Sequence, residues 1–271
     1  MAEPDLRVIS LGAGIQSSAM YLLACHGEIG PRPDYAVFAD TGAEPHWVYS
    51  QLENLRRHGA GMIPIVRTGR ITIDSQGNVI GLNSDPDALP LRVRTADGRA
   101  GFTNRDCTRD YKLRPIKAAV RSLLGLEPGE RAAGRFHVEQ WLGISVDEAQ
   151  RAKQSRDSWI TLRYPLLFDR PMRRGDCVAW LERHGYEVPR RSACWFCPFH
   201  SDAEWRALRE EPELWARIVA FDHRLREPGT LRGLSEPAYL HGSLVPIDQA
   251  DLSDSRTADL FGNECEGMCG V

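Results

Sequence analysis

Leu6-Arg7-Val8-Ile9-Ser10-Leu11-Gly12-Ala13-Gly14-Ile15-Gln16-Ser17-Ser18 is the stretch on which the fold turns. Leu6–Leu11 reads as a short buried strand. Gly12-Ala13-Gly14 reads as a turn of small residues, and Ser17–His26 carries Ala19, Met20, Leu22 and Leu23 at helical spacing. Such a turn lets backbone N–H groups approach a ligand, and the partial positive charge of the following helix start favours an anion there. Ser17 and Ser18 can also cap that helix. The turn is neither of the two common phosphate loops: it lacks the Lys of G-x-x-x-x-G-K-[ST] and the third Gly of G-x-G-x-x-G. A strand, a glycine turn and a helix can also be no more than a tight connection.

Working outward, Tyr35–Ala39 is a second strand, and it ends at Asp40-Thr41-Gly42. Trp47–His58 is an amphipathic helix and Met62–Val66 a third strand. Strands alternating with helices predict an α/β fold with a parallel twisted sheet, right-handed crossovers and helices on both faces. Open sheets of this kind bind ligands at the carboxyl ends of their strands, which is where Asp40-Thr41-Gly42 falls. There Asp40 could accept from a ribose hydroxyl or a base amine, or it could simply close a turn.

Thr68–Gly101 breaks the rhythm. Residues 68–102 read as an inserted hairpin followed by a Pro/Asp-rich mobile loop. Thr108–Leu124 returns to helix, with Pro115 inside it or near its start. Val138–Ile144 is a strand, Met172–His184 a helix, and Ala203–Leu225 one helix or two. Turn-rich chain follows from Gly229. This divides the protein into an α/β domain over 1–190 and a Cys-rich unit over 191–271.

The 271 residues are 42% apolar and 26% charged, with a net charge of -3, which excludes a strongly basic nucleic-acid coat protein. No apolar run approaches the ~18 residues of a membrane span. Met1–Arg7 does not read as a secretory signal, so the expectation is a cytoplasmic protein with no membrane partner. Charge is uneven: Thr103–Arg121 carries six basic against two acidic residues and Arg151–Arg191 ten against five, whereas Gln249–Val271 has five acids and one Arg. Two basic segments suit an anionic substrate pocket better than a long nucleic-acid track. Only Lys112, Lys117 and Lys153 are lysines.

Seven cysteines are too few for a disulfide scaffold at this length, and their placement is more informative than their number. Cys194-Trp195-Phe196-Cys197-Pro198 is a C-x-x-C turn, and Cys265 and Cys269 form C-x-x-x-C near the C-terminus. Two close pairs about 70 residues apart can bind zinc or an iron–sulfur cluster. A redox disulfide across Cys194 and Cys197 is the alternative. Cys25 and Cys177 sit inside apolar helices and read as core.

Taken together, four stretches in order resemble the adenine-nucleotide alpha-hydrolase superfamily, that is, the PP-loop ATP pyrophosphatases and the phosphoadenosine phosphosulfate reductases. Ser10–Ser17 resembles the pyrophosphate loop S-x-S-G-G-K-D-S. Val37–Gly42 resembles the strand plus D-T-G element. Cys107, Lys112 and Pro115 resemble the Cys…Lys…Pro element. Gly143-Ile144 with Asp147-Glu148 and Arg151 resembles G-I-R-x-x-E-S-x-x-R. The match spans most of Leu6–Cys197. It departs from the pattern at Ile15 and Gln16, where the pyrophosphatases have Lys and Asp, and at Ser145 and Ala149, which replace Arg and Ser. Gly14-Ile15-Gln16 looks more like some sulfonucleotide reductases, which have no pyrophosphate leaving group.

The resemblance implies an adenine nucleotide, ATP or an adenosine sulfonucleotide, with Mg2+ as a companion in the ATP case. Ser10, Gly12, Ala13, Gly14, Gln16, Ser17 and Ser18 would hold its phosphates. Asp40, Thr41 and Gly42 would meet the adenosine, and Gly143, Glu148 and Arg151 would complete the site. Lys112 would neutralise phosphate or sulfate, assisted by Arg105, Arg109 and Arg151. The resemblance favours a 4Fe–4S cluster over zinc. Cys107, Cys194, Cys197 and Cys265 would be its ligands and Cys269 a reactive thiol. The competing set is Cys194, Cys197, Cys265 and Cys269, with Cys107 reactive. Two activities follow: ATP-dependent adenylation and thiolation of a substrate, placed slightly ahead, or sulfonucleotide reduction through an S-sulfocysteine. Implied partners are a sulfur donor or thiol-reductant protein, a nucleic-acid acceptor and a second copy of the chain. A nucleic-acid-modifying subunit and a non-catalytic nucleotide or cluster sensor are the remaining classes.

Overall fold

A computed structural model describes residues 3–73, 79–95, 98–234 and 236–253. Five parallel strands form the main sheet: β1 (Leu6–Leu11), β2 (Tyr35–Asp40), β3 (Ile65–Gly69), β4 (Val138–Leu142) and β5 (Ile160–Arg163). Their order is β3-β2-β1-β4-β5. The register sets Ser10 beside Val37 on β2 and beside Leu142 on β4. Strand order reverses between β1 and β4, the kind of switch point at which Rossmann-like sheets bind ligands.

Both faces of the sheet are covered, and β1 and β2 are each buried at five of their six positions. On one face Ile9, Leu11, Phe38 and Trp141 pack against α1 (Ile15–Cys25), α2 (His46–His58) and α4 (Arg174–Arg183). On the other, Leu6, Val8, Val37 and Val138 meet Ile116 and Val120 of α3 (Arg114–Leu123). All eleven residues of α1 are buried. Cys25 and Cys177 lie in the first of these cores, as expected, and burial pushes the Cys25 thiol up to about 11.

The helix expected over Thr108–Leu124 starts at Asp106 and contains one wide π turn, Arg109–Leu113, before α3. Pro115 explains the widening, because it has no N–H to return to the turn before it. The helical region after Ala203 is two helices, α5 (Asp202–Arg209) and α6 (Pro212–Arg224), broken where Pro212 takes the first position of the second.

A second hydrophobic core joins the insertion to the C-terminal residues. Leu82, Leu89, Leu91 and Val93 pack with Trp195, Phe196, Trp205, Ile218 and Phe221. Residues 92–94 pair antiparallel with both 100–102 and 238–239, and 72–73 pair with 79–80 as the hairpin reading expects. The Pro/Asp-rich stretch read as a mobile loop is instead packed: Leu82, Ala88, Leu89 and Leu91 are each no more than 5% exposed. Its place in the fold is therefore with the C-terminal unit and not with the sheet that flanks it in sequence. Buried Asp222 ties that unit together, accepting from the backbone N–H of Leu240 and Ile247 and from Arg226. Among the described residues no helix is long and apolar enough to cross a membrane.

Candidate functional site

The glycine turn and the Gly143-Ile144-Ser145 turn leave the adjacent strands β1 and β4, so both stand at the switch point. Ala13 takes the left-handed conformation at φ 57°, a sparsely used one for a residue with a side chain. Gly14 is the N-cap of α1 and no side chain caps it. The Ser17/Ser18 cap is therefore corrected. Both serines lie inside the first turn: Ser17 Oγ donates back to the Gly14 carbonyl at 3.3 Å, and Ser18 Oγ accepts from Gln51 at 3.2 Å. Ser10, at the end of β1, accepts from Gln140 Nε2 at 2.7 Å.

Gln16 of the first turn and Ser145 of the second meet in space. Gln16 Nε2 donates to Ser145 Oγ at 3.4 Å and to Glu148 at 3.2 Å, while Arg174 Nη1 donates to Gln16 Oε1 at 3.4 Å. Gln16 and Ser145 are thus a neutral hydrogen-bonded pair that joins the two turns. Ile15 is buried in the core. Glu148 is ion-paired with Arg151, so those two residues reach the loop through Gln16. Gly143 is buried behind them.

Asp40 is buried, and both of its carboxylate oxygens have partners within the protein. Oδ1 accepts from Gly42 N–H at 2.7 Å and from the Tyr49 hydroxyl at 3.0 Å, and Oδ2 is ion-paired with Arg67. These contacts match the turn-closing reading of Asp40. Its neighbours face the C-x-x-C turn. Thr41 Oγ1 donates to Glu44 at 3.0 Å and lies 3.3 Å from Cys194 Sγ, and Trp195 N–H donates to the Ala43 carbonyl. The D-T-G turn is thus welded to the C-x-x-C turn. It is also crowded by the insertion: a Cβ on Gly81 would stand 2.5 Å from the Thr41 carbonyl oxygen.

Cys107, Cys194 and Cys197 line one narrow crevice, together with Lys112 and Arg105 and the apolar walls Leu82, Leu89, Phe196 and Phe199. Lys112 also lines the cleft beside the glycine turn, with Ser10, Gly12, Glu44 and Ser192. It projects from the π turn, so the irregularity caused by Pro115 carries the one lysine shared by the two clefts. Burial pushes the Cys194 thiol well up and Glu44 pushes it further, while Lys112 acts in the opposite sense. Cys265 and Cys269 lie outside the described residues.

The cleft beside the turn is small, with a volume near 10 Å³, about one water. A wider cleft of about 430 Å³ shares Ile116 with it. That cleft is cationic, lined by Arg105, Arg109, Arg114, Lys117 and Arg156 against Asp106 and Asp157. Arg109 is engaged by Asp106 and Asp110, and Arg105 lies over the Phe199 ring at 4.6 Å. Sequence reading missed Glu44, Gln140 and Arg174. Arg174 had a usable signal, since Arg173-Arg174 places cations at a helix N-terminus, where the macrodipole disfavours them. No protein-family model, no curated protein and no solved structure matches this chain.

Proposed function

We propose that the chain is a nucleotide-dependent enzyme of sulfur chemistry, and that it adenylates a substrate with ATP and then replaces AMP by sulfur. The observation that carries this reading is Lys112, which lines both the cleft at the glycine turn and the crevice of Cys107, Cys194 and Cys197. One cation between an anion-binding turn and a thiol-rich crevice suits a reaction that moves sulfur onto a centre activated by phosphate.

The cysteines of the crevice support a 4Fe–4S cluster as the group they would hold. Three cysteines share a crevice with apolar walls, Cys107 is among them, and Cys265 from the tail would complete the four. Such a cluster would supply a site at which the transferred sulfur is bound. The chain's own residues do the rest. Backbone N–H groups at the start of α1 hold phosphate oxygens, and Lys112 with Arg174 neutralises the charge that develops as pyrophosphate leaves. The 430 Å³ cleft has the size to take the nucleoside and part of the acceptor. Cys269 is the thiol that would carry sulfur.

Sulfonucleotide reduction is the second reading. It is favoured by Ile15, which puts a core side chain where the pyrophosphatase loop has its Lys. The two separate cleanly with anaerobically purified protein. Labelled ATP plus nucleic-acid or nucleotide acceptors should yield AMP and pyrophosphate. Sulfite release from a sulfonucleotide with thioredoxin would establish the reductase instead. Iron and acid-labile sulfide should co-purify, and Cys107→Ser should lower both; bound zinc without iron would overturn the cluster.

A further inference from the structure

The helices that meet at the glycine turn also meet at their other ends. There His26 closes α1, Glu28 follows two residues later, and His184 closes α4. His26 Nδ1 and His184 Nε2 each stand 3.9 Å from the same oxygen, Glu28 Oε1. The second oxygen, Oε2, is taken by Arg170 and by Trp180 Nε1. Among the described residues these three are the one His/Cys/Asp/Glu group whose ligand atoms all lie within 4.8 Å of one another.

The outer contacts fix the rings. His184 Nδ1 lies 2.8 Å from the Trp180 carbonyl, which can only accept. That nitrogen therefore carries the hydrogen, and the lone pair of the neutral ring is on Nε2, facing Glu28. His26 Nε2 is 2.7 Å from the Tyr186 hydroxyl, which leaves Nδ1 toward the same oxygen. The His184 ring stacks on Trp180 at 4.1 Å, and His26 meets Trp180 edge-on at 5.4 Å. Imidazoles anchored through the far nitrogen are the usual supports of metal ligands.

The spacing asks for a cation. At 3.9 Å an N–H···O hydrogen bond is not made. A tetrahedral ion with bonds of about 2.1 Å holds its ligand atoms roughly 3.4 Å apart, so side-chain rotations that bring together atoms now within 4.8 Å of one another would close the shell. Two imidazoles and one carboxylate oxygen suit zinc, cobalt or nickel better than calcium or magnesium. The partly exposed side chains leave the remaining position to water.

We propose that His26, Glu28 and His184 bind a divalent transition-metal ion of the zinc class, clasping the C-terminal ends of α1 and α4. This site is separate from the cysteine crevice and does not depend on the sulfur reading. Titration of the full chain with Co2+ tests it. Cobalt held by nitrogen and oxygen shows weak visible bands without the intense near-ultraviolet band of a thiolate, so the two sites are distinguishable in one spectrum. The wild type should take up one equivalent of the first kind. Glu28→Gln and His26→Asn should lose it, and Tyr186→Phe should weaken it about 10-fold by freeing the His26 ring. An unchanged isotherm in Glu28→Gln overturns the site. The wild type offers a check that needs no variant: Co2+ should shift the ring resonances of His26 and His184 in NMR spectra, and unshifted rings overturn it equally.

Discussion

Replacing Glu204 by Gln removes the charge that braces the C-x-x-C turn. Glu204 Oε2 accepts from Ser201 N–H at 2.7 Å and from Ser201 Oγ at 3.0 Å, which caps α5. Arg191 Nη1 donates to both of its carboxylate oxygens, at 2.8 and 2.6 Å. The same Arg191 nitrogen donates to the Phe199 carbonyl, and His200, whose Nδ1 is 3.8 Å from Glu204, donates through Nε2 to the Cys194 carbonyl. Breaking a fully buried pair costs about 3–5 kcal/mol. Glu204 keeps 27% of its side-chain exposure, and Gln keeps the shape and one acceptor, so the expected loss is about 2 kcal/mol. For a chain of this size that is a fall in Tm of roughly 4–8 °C.

The pH dependence supplies the sharper test. Burial alone would raise the Glu204 pKa, but the His200 and Arg191 interactions outweigh it and hold the carboxyl well below the usual range. A depressed folded-state pKa contributes stability that is present above the unfolded value of about 4.3 and lost as pH falls through the folded one. Urea unfolding of both proteins should show the full difference at neutral pH, narrowing only below about pH 4.3. A difference under ~0.5 kcal/mol at neutral pH, or one that stays constant into acid, would refute the reasoning.

Three further outcomes are expected. Lys112→Met should lower nucleotide turnover by about 10²-fold or more while leaving the unfolding midpoint nearly unchanged, and Lys112→Arg should not restore it, because the crevice is narrow. Gly81→Ala should destabilise by about 1–3 kcal/mol in denaturant titration, since its Cβ would meet the Thr41 carbonyl oxygen at 2.5 Å and Gly42 Cα at 3.2 Å, both backbone atoms with no rotamer to yield. Gln16→Ala should cost about 1–3 kcal/mol by uncoupling the glycine turn from Ser145, Glu148 and Arg174, and it should raise the KM for nucleotide more than it lowers kcat.

Local chemistry wrote much of this protein legibly. Leu6–Leu11, the small-residue turn and the apolar spacing after it are read within a dozen residues, and the strand, turn and α1 stand where that reading puts them. β3 begins three residues later than Met62, because Met62 and Ile63 donate back to Gly59 in a turn and Pro64 has no N–H for a ladder. β5 was not legible at all. Ile160–Arg163 is four residues long at the sheet edge, too short for a periodicity to register.

What the tertiary structure decided is every partnership across long separations. Asp40 looked like a ligand residue from its place after a strand, and only the fold shows Tyr49 and Arg67 closing on it. The insertion looked mobile from its prolines and aspartates, yet it finds an apolar face in residues 194–252 and a strand partner in 238–239. Cys107, Cys194 and Lys112 are associated in sequence only through the family resemblance, and no periodicity or spacing brings them to one place. They converge because a proline-widened helix and a turn from the far end of the chain meet over the carboxyl end of β2. A residue's local conformation is set by its neighbours in the chain. What its side chain touches is set by packing, which only the folded protein has.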